Sequence, residues 1–159
     1  MSSNPARCLI LACGNTLRED DGIGPFLAQW AEERFGGQRR VKVVARQQWT
    51  PELAQDVSEA QSVIFIDCAT DAAPGEVSVR PIEPAEASGT SLGTHHLDAA
   101  ELLALSKELY GAVPCSSLLL TVGAGSLELR EGFSLPVQSA LPLACVQLER
   151  AVLRLLAKS

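Results

Sequence analysis

The chain has 159 residues, of which 47% are hydrophobic and 20% are charged. This composition is typical of a globular protein, and the length suits one compact domain, which we expect to span residues 1–159. The formal net charge is −6. A nucleic-acid-binding face needs an excess of basic residues to neutralise phosphates, so we expect no nucleic-acid partner.

The cysteine pattern and the first apolar run indicate a cellular location. The chain has five cysteines, an odd number, and no two of them have CxxC spacing. A disulfide framework is therefore not expected, and a reducing compartment, the cytoplasm, is favoured. The run Cys8–Cys13 is too short for a signal-peptide core or a membrane span. We therefore expect no membrane association.

Apolar strand patterns alternate with helical patterns along the chain. The run Cys8–Cys13 predicts a strand that is buried on both faces. From Ile23 the apolar positions follow a helical spacing that ends at Gly36, and Asp20 or Asp21 is expected to cap this helix.

The rest of the chain continues the alternation. Further strands are predicted at 41–45, 62–68, 76–82 and 117–122, and further helices at 52–60, 99–110 and 136–157. Asp98 and Glu101 form a capping-box pattern at one helix start, and Pro142 predicts a kink or an interruption in the last helix. This order predicts a three-layer α/β/α sandwich around a mostly parallel or mixed sheet of about five strands.

Three adjacent carboxylates follow the first strand, at Glu19, Asp20 and Asp21. In α/β proteins ligands bind beyond the carboxyl ends of strands, where loops converge. Adjacent carboxylates repel one another and together favour a bound cation. The alternative is a solvated acidic turn that caps the next helix, and the spacing does not choose between the two.

A fourth carboxylate and two histidines extend this set. Asp67 ends a strongly apolar strand, where a carboxylate needs a partner, either a ligand or a nearby amide or helix N-terminus. His95 and His96, the chain's only histidines, lie just before the helix that Asp98 caps. Two carboxylates and one imidazole suit Zn, Ni, Fe or Mn, and three ligands with an open position suit a metal-dependent hydrolase.

Several familiar signatures are absent from the sequence. There is no GxGxxG fingerprint and no Walker lysine, so no nucleotide cofactor is expected. HExxH and the GxSxG nucleophile elbow are also missing. No cysteine has a recognisable activated setting, which disfavours a Cys/His nucleophile pair.

The segment Leu9–Gly24, LILACGNTLREDDGIG, resembles the signature of the [NiFe]-hydrogenase maturation proteases. That signature is a strand followed by Gly-Asn-x-Leu-x-x-Asp-Asp/Glu-x-x-Gly. The resemblance continues at 48–53 (QWTPEL), at 63–69 (VIFIDCA), at His95-His96-Leu97 and over the last strand and helix. It covers nearly the whole chain, and the first motif is its specific part.

The resemblance implies an endopeptidase that removes the C-terminal extension of a hydrogenase large-subunit precursor after nickel insertion. It implies a metal contact set of Asp21, Asp67 and His95, with His95 preferred over His96 by its distance to the following leucines. The nickel would be supplied by the precursor and serve as a recognition element. Asp21 and Asp67 would be catalytic, and a carboxylate such as Asp20 or Asp21 would orient a water molecule.

The resemblance also implies a substrate-binding set, which comprises Gly14, Asn15, Asp20 and Gln48. One departure concerns the loop after the second strand, where some family members have Asp-Gly-Gly-Thr and this chain has RQQWT at 46–50. Two other functions stay open: a non-proteolytic factor that binds the precursor or metal, and another hydrolase or phosphorylase on a similar scaffold. A monomer is the default expectation.

Overall fold

A computed structural model describes residues 7–86 and 97–158. Within these residues, five strands form one sheet in the order β2-β1-β3-β5-β4. The strands are β1 Cys8–Cys13, β2 Val41–Arg46, β3 Ser62–Ala69, β4 Val77–Pro81 and β5 Ser116–Gly123. The helices are α1 Ile23–Phe35, α2 Leu53–Glu59, α3 Ala99–Tyr110 and α4 Leu135–Ala157, and a short 3₁₀ helix covers Glu19–Gly22.

The central strands are parallel and buried. β1 pairs with β2 on one side and with β3 on the other, and β3 pairs with β5, all in parallel. The strand β4 pairs antiparallel with β5 at the edge of the sheet. The sheet is therefore mixed, and the carboxyl ends of β1, β2, β3 and β5 meet at one edge, where the loops after them converge.

Helices cover both faces of the sheet. Side chains of β1 alternate between two apolar clusters because successive residues of a strand point to opposite faces. Ile10 packs in a cluster with residues of α1 and α4, whereas Leu11 packs in a cluster with residues of α2 and α3. The predicted α/β/α sandwich is confirmed.

The start of α3 has the predicted capping box, but the predicted cap of α1 is wrong. The amide of Glu101 donates to Asp98 Oδ1 at 2.8 Å, and the amide of Asp98 donates to Glu101 Oε1 at 3.0 Å. At α1 the cap position is Gly22, and no side chain caps it. Asp20 and Asp21 lie instead in the preceding 3₁₀ helix, where their carboxylates have other partners.

The last helix, α4, continues past Pro142 as one element of 23 residues. The expected interruption is therefore absent, although a proline ring removes one backbone hydrogen bond from the helix interior. Neither α4 nor another described helix is apolar over the length that crossing a bilayer would need.

Replacing Pro142 with alanine is expected to stabilise the protein by about 1–3 kcal/mol, because the helix regains a hydrogen bond at an exposed position where no packing is lost. The measurement is the free energy of unfolding in urea. Leu143→Ala, an exposed substitution at the next residue, should change it by less than about 0.5 kcal/mol. A Pro142→Ala protein no more stable than wild type would contradict this reading of α4.

Candidate active site

A cavity of about 330 Å³ opens at the carboxyl ends of β1 and β3. Its walls come from the ends of these strands, the loops after β1 and β2, and the segment before α3. The lining residues are Cys13, Gly14, Asn15, Arg18, Asp21, Gln47, Gln48, Trp49, Asp67, Leu97 and Asp98.

The cavity brings together most of the predicted site residues that the structure describes. Asp21 and Asp67 both line it, as do Gly14, Asn15 and Gln48. Their roles in binding or catalysis stay predictions. His95 and His96 lie outside the described residues.

Asp67 is half-buried near the end of β3. Its Oδ1 accepts hydrogen bonds from the amide of Cys68 at 2.8 Å and from the thiol of Cys13 at 3.3 Å. Burial raises the pKa of Asp67, and these two hydrogen bonds lower it only in part, while the nearby charge of Asp21 raises it further. A cation in the cavity would act in the opposite direction, because an opposite charge favours the carboxylate form.

Asp21 is held by the backbone of the loop that precedes it. Its Oδ2 accepts a hydrogen bond from the amide of Asn15 at 2.7 Å. The loop can close in this way because residue 14 is a glycine. Gly14 has φ +150°, and a Cβ at this position would lie only 1.9 Å from the backbone oxygen of Asp21. An alanine therefore does not fit at Gly14 without displacing Asp21.

Asp20 points away from the cavity and is fully buried. Its Oδ2 accepts hydrogen bonds from the amides of Gly125 at 2.7 Å and Ser126 at 2.9 Å, and from the Ser134 hydroxyl at 2.6 Å. Its Oδ1 accepts one from the amide of Ser134 at 2.8 Å. Burial acts to raise the pKa of Asp20, but these hydrogen bonds outweigh it and lower the pKa.

The expectations that Asp20 binds the substrate or orients a water molecule do not fit this geometry. A carboxylate with no exposed surface and both oxygens engaged by protein donors cannot contact a ligand in the cavity. Its place in the structure is a tie between the turn after β1 and the segment after β5.

Glu19 is also bound within the protein. Its Oε1 accepts hydrogen bonds from the Ser126 hydroxyl at 2.6 Å and from Nε of Arg130 at 2.8 Å, which lower the pKa of Glu19. The backbone at Glu19 has φ +40°, an uncommon conformation for a side chain of this size. Of the three adjacent carboxylates, Asp21 is the one that lines the cavity. Glu19 and Asp20 are buried, so the three form neither a shared cation site nor a solvated turn.

The sequence did not predict the other lining residues, such as Cys13 and Trp49, to be part of the site. Trp49 is 3% exposed and packs edge-on against Phe65, with ring centroids 5.3 Å apart. Its Nε1 is buried and has no hydrogen-bond partner among the described residues. Cys13 lies beside Asp67 because β1 and β3 pair with Ala12 opposite Ile66, a register that the sequence alone does not give.

The described part of the chain does not hold a complete metal site. Among residues 7–86 and 97–158, no three His, Cys, Asp or Glu side chains lie close enough to hold an ion together. Asp21 and Asp67 offer carboxylate oxygens at the cavity. Carboxylate oxygens are ligands that divalent metal ions accept, so these two residues fit a cation at the cavity.

The overall structure is similar to those of several solved proteins. HybD from E. coli, named a hydrogenase maturating endopeptidase, superposes with a TM-score of 0.74 at 23% identity, over 93% of each chain. The [NiFe] hydrogenase maturation protease HycI from Thermococcus kodakarensis gives a TM-score of 0.66 at 24% identity, over 91% of each chain. The hydrogenase 2 maturation peptidase from a Thaumarchaeota archaeon gives 0.65 at 22% identity, over 92% of this chain and 97% of that one.

The chain has the fold of the hydrogenase maturation endopeptidases. The resemblance noted in the sequence is thus confirmed for the fold. A comparison with models of protein families gave no match, and a comparison with curated protein sequences gave none either. At identities of 22–24% the shared fold does not by itself establish a shared activity.

Replacing Asp20 with asparagine is expected to destabilise the protein by about 2–4 kcal/mol, because an amide nitrogen would face buried donors in place of a carboxylate oxygen. Asp71→Asn, the same substitution at an exposed turn residue, is the control and should be nearly neutral. The measurement is chemical denaturation at neutral pH. Equal stability of the Asp20→Asn and wild-type proteins would rule out the structural role assigned to Asp20.

Proposed function

We propose that this protein is an endopeptidase that removes a C-terminal extension from the precursor of a [NiFe]-hydrogenase large subunit. The observation that carries the proposal is that Asp21 and Asp67 line one cavity at the carboxyl edge of the sheet. The fold shared with named hydrogenase maturation endopeptidases adds support. We propose that the protein acts as a monomer in the cytoplasm.

In this proposal the nickel belongs to the substrate. The precursor carries the ion on its own side chains, and Asp21, Asp67 and His95 complete its contacts when the precursor docks. One feature favours this arrangement: Asp21 and Asp67 line the same cavity, where a docked ion would meet both carboxylates. The cation would also polarise the carbonyl group of the bond to be cut.

The hydrolytic step needs a water molecule beside that carbonyl carbon. Of Asp20 and Asp21, Asp21 is the one in a position to orient the water, because Asp20 is buried and its oxygens are engaged. Water adds to the carbonyl carbon, the C–N bond breaks, and the new amine takes up a proton. Two products result: the shortened large subunit and the released peptide.

The wall of the cavity also includes Gly14, Asn15 and Gln48. Amide groups can both donate to and accept from a peptide backbone. We propose that these three residues hold the chain on either side of the bond that is cut.

The test is incubation with a nickel-loaded precursor, with loss of the C-terminal peptide followed by intact mass. Asp21→Asn and Asp67→Asn are each expected to slow cleavage by about a hundredfold or more, the effect of losing a positioned catalytic group. The exposed variant Asp71→Asn should cleave at the wild-type rate. A precursor without nickel should remain uncut.

Two results would contradict the proposal. Unimpaired cleavage by the triple variant Asp21→Asn, Asp67→Asn, His95→Ala would show that the site is elsewhere. Tight binding of the loaded precursor with no cleavage by the wild-type protein would favour a non-proteolytic assembly factor.

A further inference from the structure

The thiol of Cys13 contacts the carboxylate that the proposed function places at the reaction centre. Cys13 is the last residue of β1, and Asp67 lies near the end of the neighbouring strand β3. The parallel register, in which Ala12 pairs with Ile66, brings the two side chains side by side. The distance from Cys13 Sγ to Asp67 Oδ1 is 3.3 Å.

The two hydrogen bonds to Asp67 both reach the same oxygen. Oδ1 accepts from the thiol of Cys13 and from the amide of Cys68. No donor within the described part of the chain reaches Oδ2. One oxygen is thus anchored from two directions.

We propose that Cys13 is a positioning residue that fixes the orientation of Asp67 through this hydrogen bond, so that Oδ2 is presented to the substrate. This inference rests on the proposed function. The amide of Cys68 belongs to the same strand as Asp67, whereas the thiol of Cys13 reaches Asp67 from the neighbouring strand β1. The thiol therefore holds the carboxylate from a second direction.

The thiol of Cys13 is the donor in this contact and the carboxylate of Asp67 is the acceptor. A thiol is a weak donor in general, but its bond to an ionised acceptor is stronger than one to a neutral acceptor.

A pair of substitutions separates hydrogen bonding from packing. Valine at position 13 keeps an apolar side chain in the cluster but removes the donor, whereas serine keeps a donor and is the poorer apolar group. If Cys13 acts through packing, Cys13→Val should be the more active variant. If it acts through its hydrogen bond, Cys13→Ser should be the more active one.

We expect Cys13→Val to lower kcat/KM for the nickel-loaded precursor by about threefold to tenfold, the usual worth of one hydrogen bond, and Cys13→Ser to recover most of it. Cys8→Val is the matched control, since Cys8 is buried in the same strand but belongs to the cluster on the opposite face. Cys8→Val should leave kcat/KM unchanged. Equal or higher activity of Cys13→Val relative to Cys13→Ser would overturn the inference.

A spectroscopic measurement tests the contact without relying on activity. The S–H stretching band of Cys13 is identified by subtracting the infrared spectrum of Cys13→Val from that of the wild-type protein. Asp67→Ala should move this band to higher frequency, because the thiol loses its acceptor. An unmoved band would overturn the inference. If the band moves in Asp67→Ala but the wild-type protein does not cut the precursor, the contact between Cys13 and Asp67 is supported and the proposed function is rejected.

Discussion

The buried carboxylate of Asp20 ties the loop after β1, which lines the cavity, to the segment after β5. Four hydrogen bonds join it to Gly125, Ser126 and Ser134, residues that follow β5, while Asp20 itself follows β1. A buried carboxylate is tolerated only when its oxygens are bonded in this way. The tie holds the turn after β1 in place, and so determines which of the adjacent acidic side chains faces the cavity.

The adjacent negative charges of Glu19 and Asp20 are each stabilised by partners of their own. Glu19 is neutralised by Arg130, and Asp20 is stabilised by amide and hydroxyl donors. Asp21 and Asp67 remain, and neither forms an ion pair within the described residues. The cavity therefore brings two carboxylates together, and Arg18 is also part of its lining.

Local patterns in the sequence were enough to predict the helices and strands but not the contacts between them. The helix 99–110 and its capping box follow from neighbouring residues and were predicted with the observed bounds. The partners of Asp20 lie more than a hundred residues away in the chain, so its acidic neighbours suggested a ligand site where the fold has a structural tie. The contact of Cys13 with Asp67 likewise depends on the pairing of two strands, which spacing alone does not reveal.

The glycines of the first motif show why its spacing is so specific. Gly14 and Gly24 flank the acidic turn, and each lies against backbone that a side chain would displace. A Cβ at Gly14 would lie 1.9 Å from the oxygen of Asp21, and a Cβ at Gly24 would lie 2.1 Å from the oxygen of Cys13. The start of α1 can therefore pack directly on the end of β1. That approach brings the Asn15 amide within reach of the Asp21 carboxylate, so the motif acts through backbone proximity as much as through its acidic side chains.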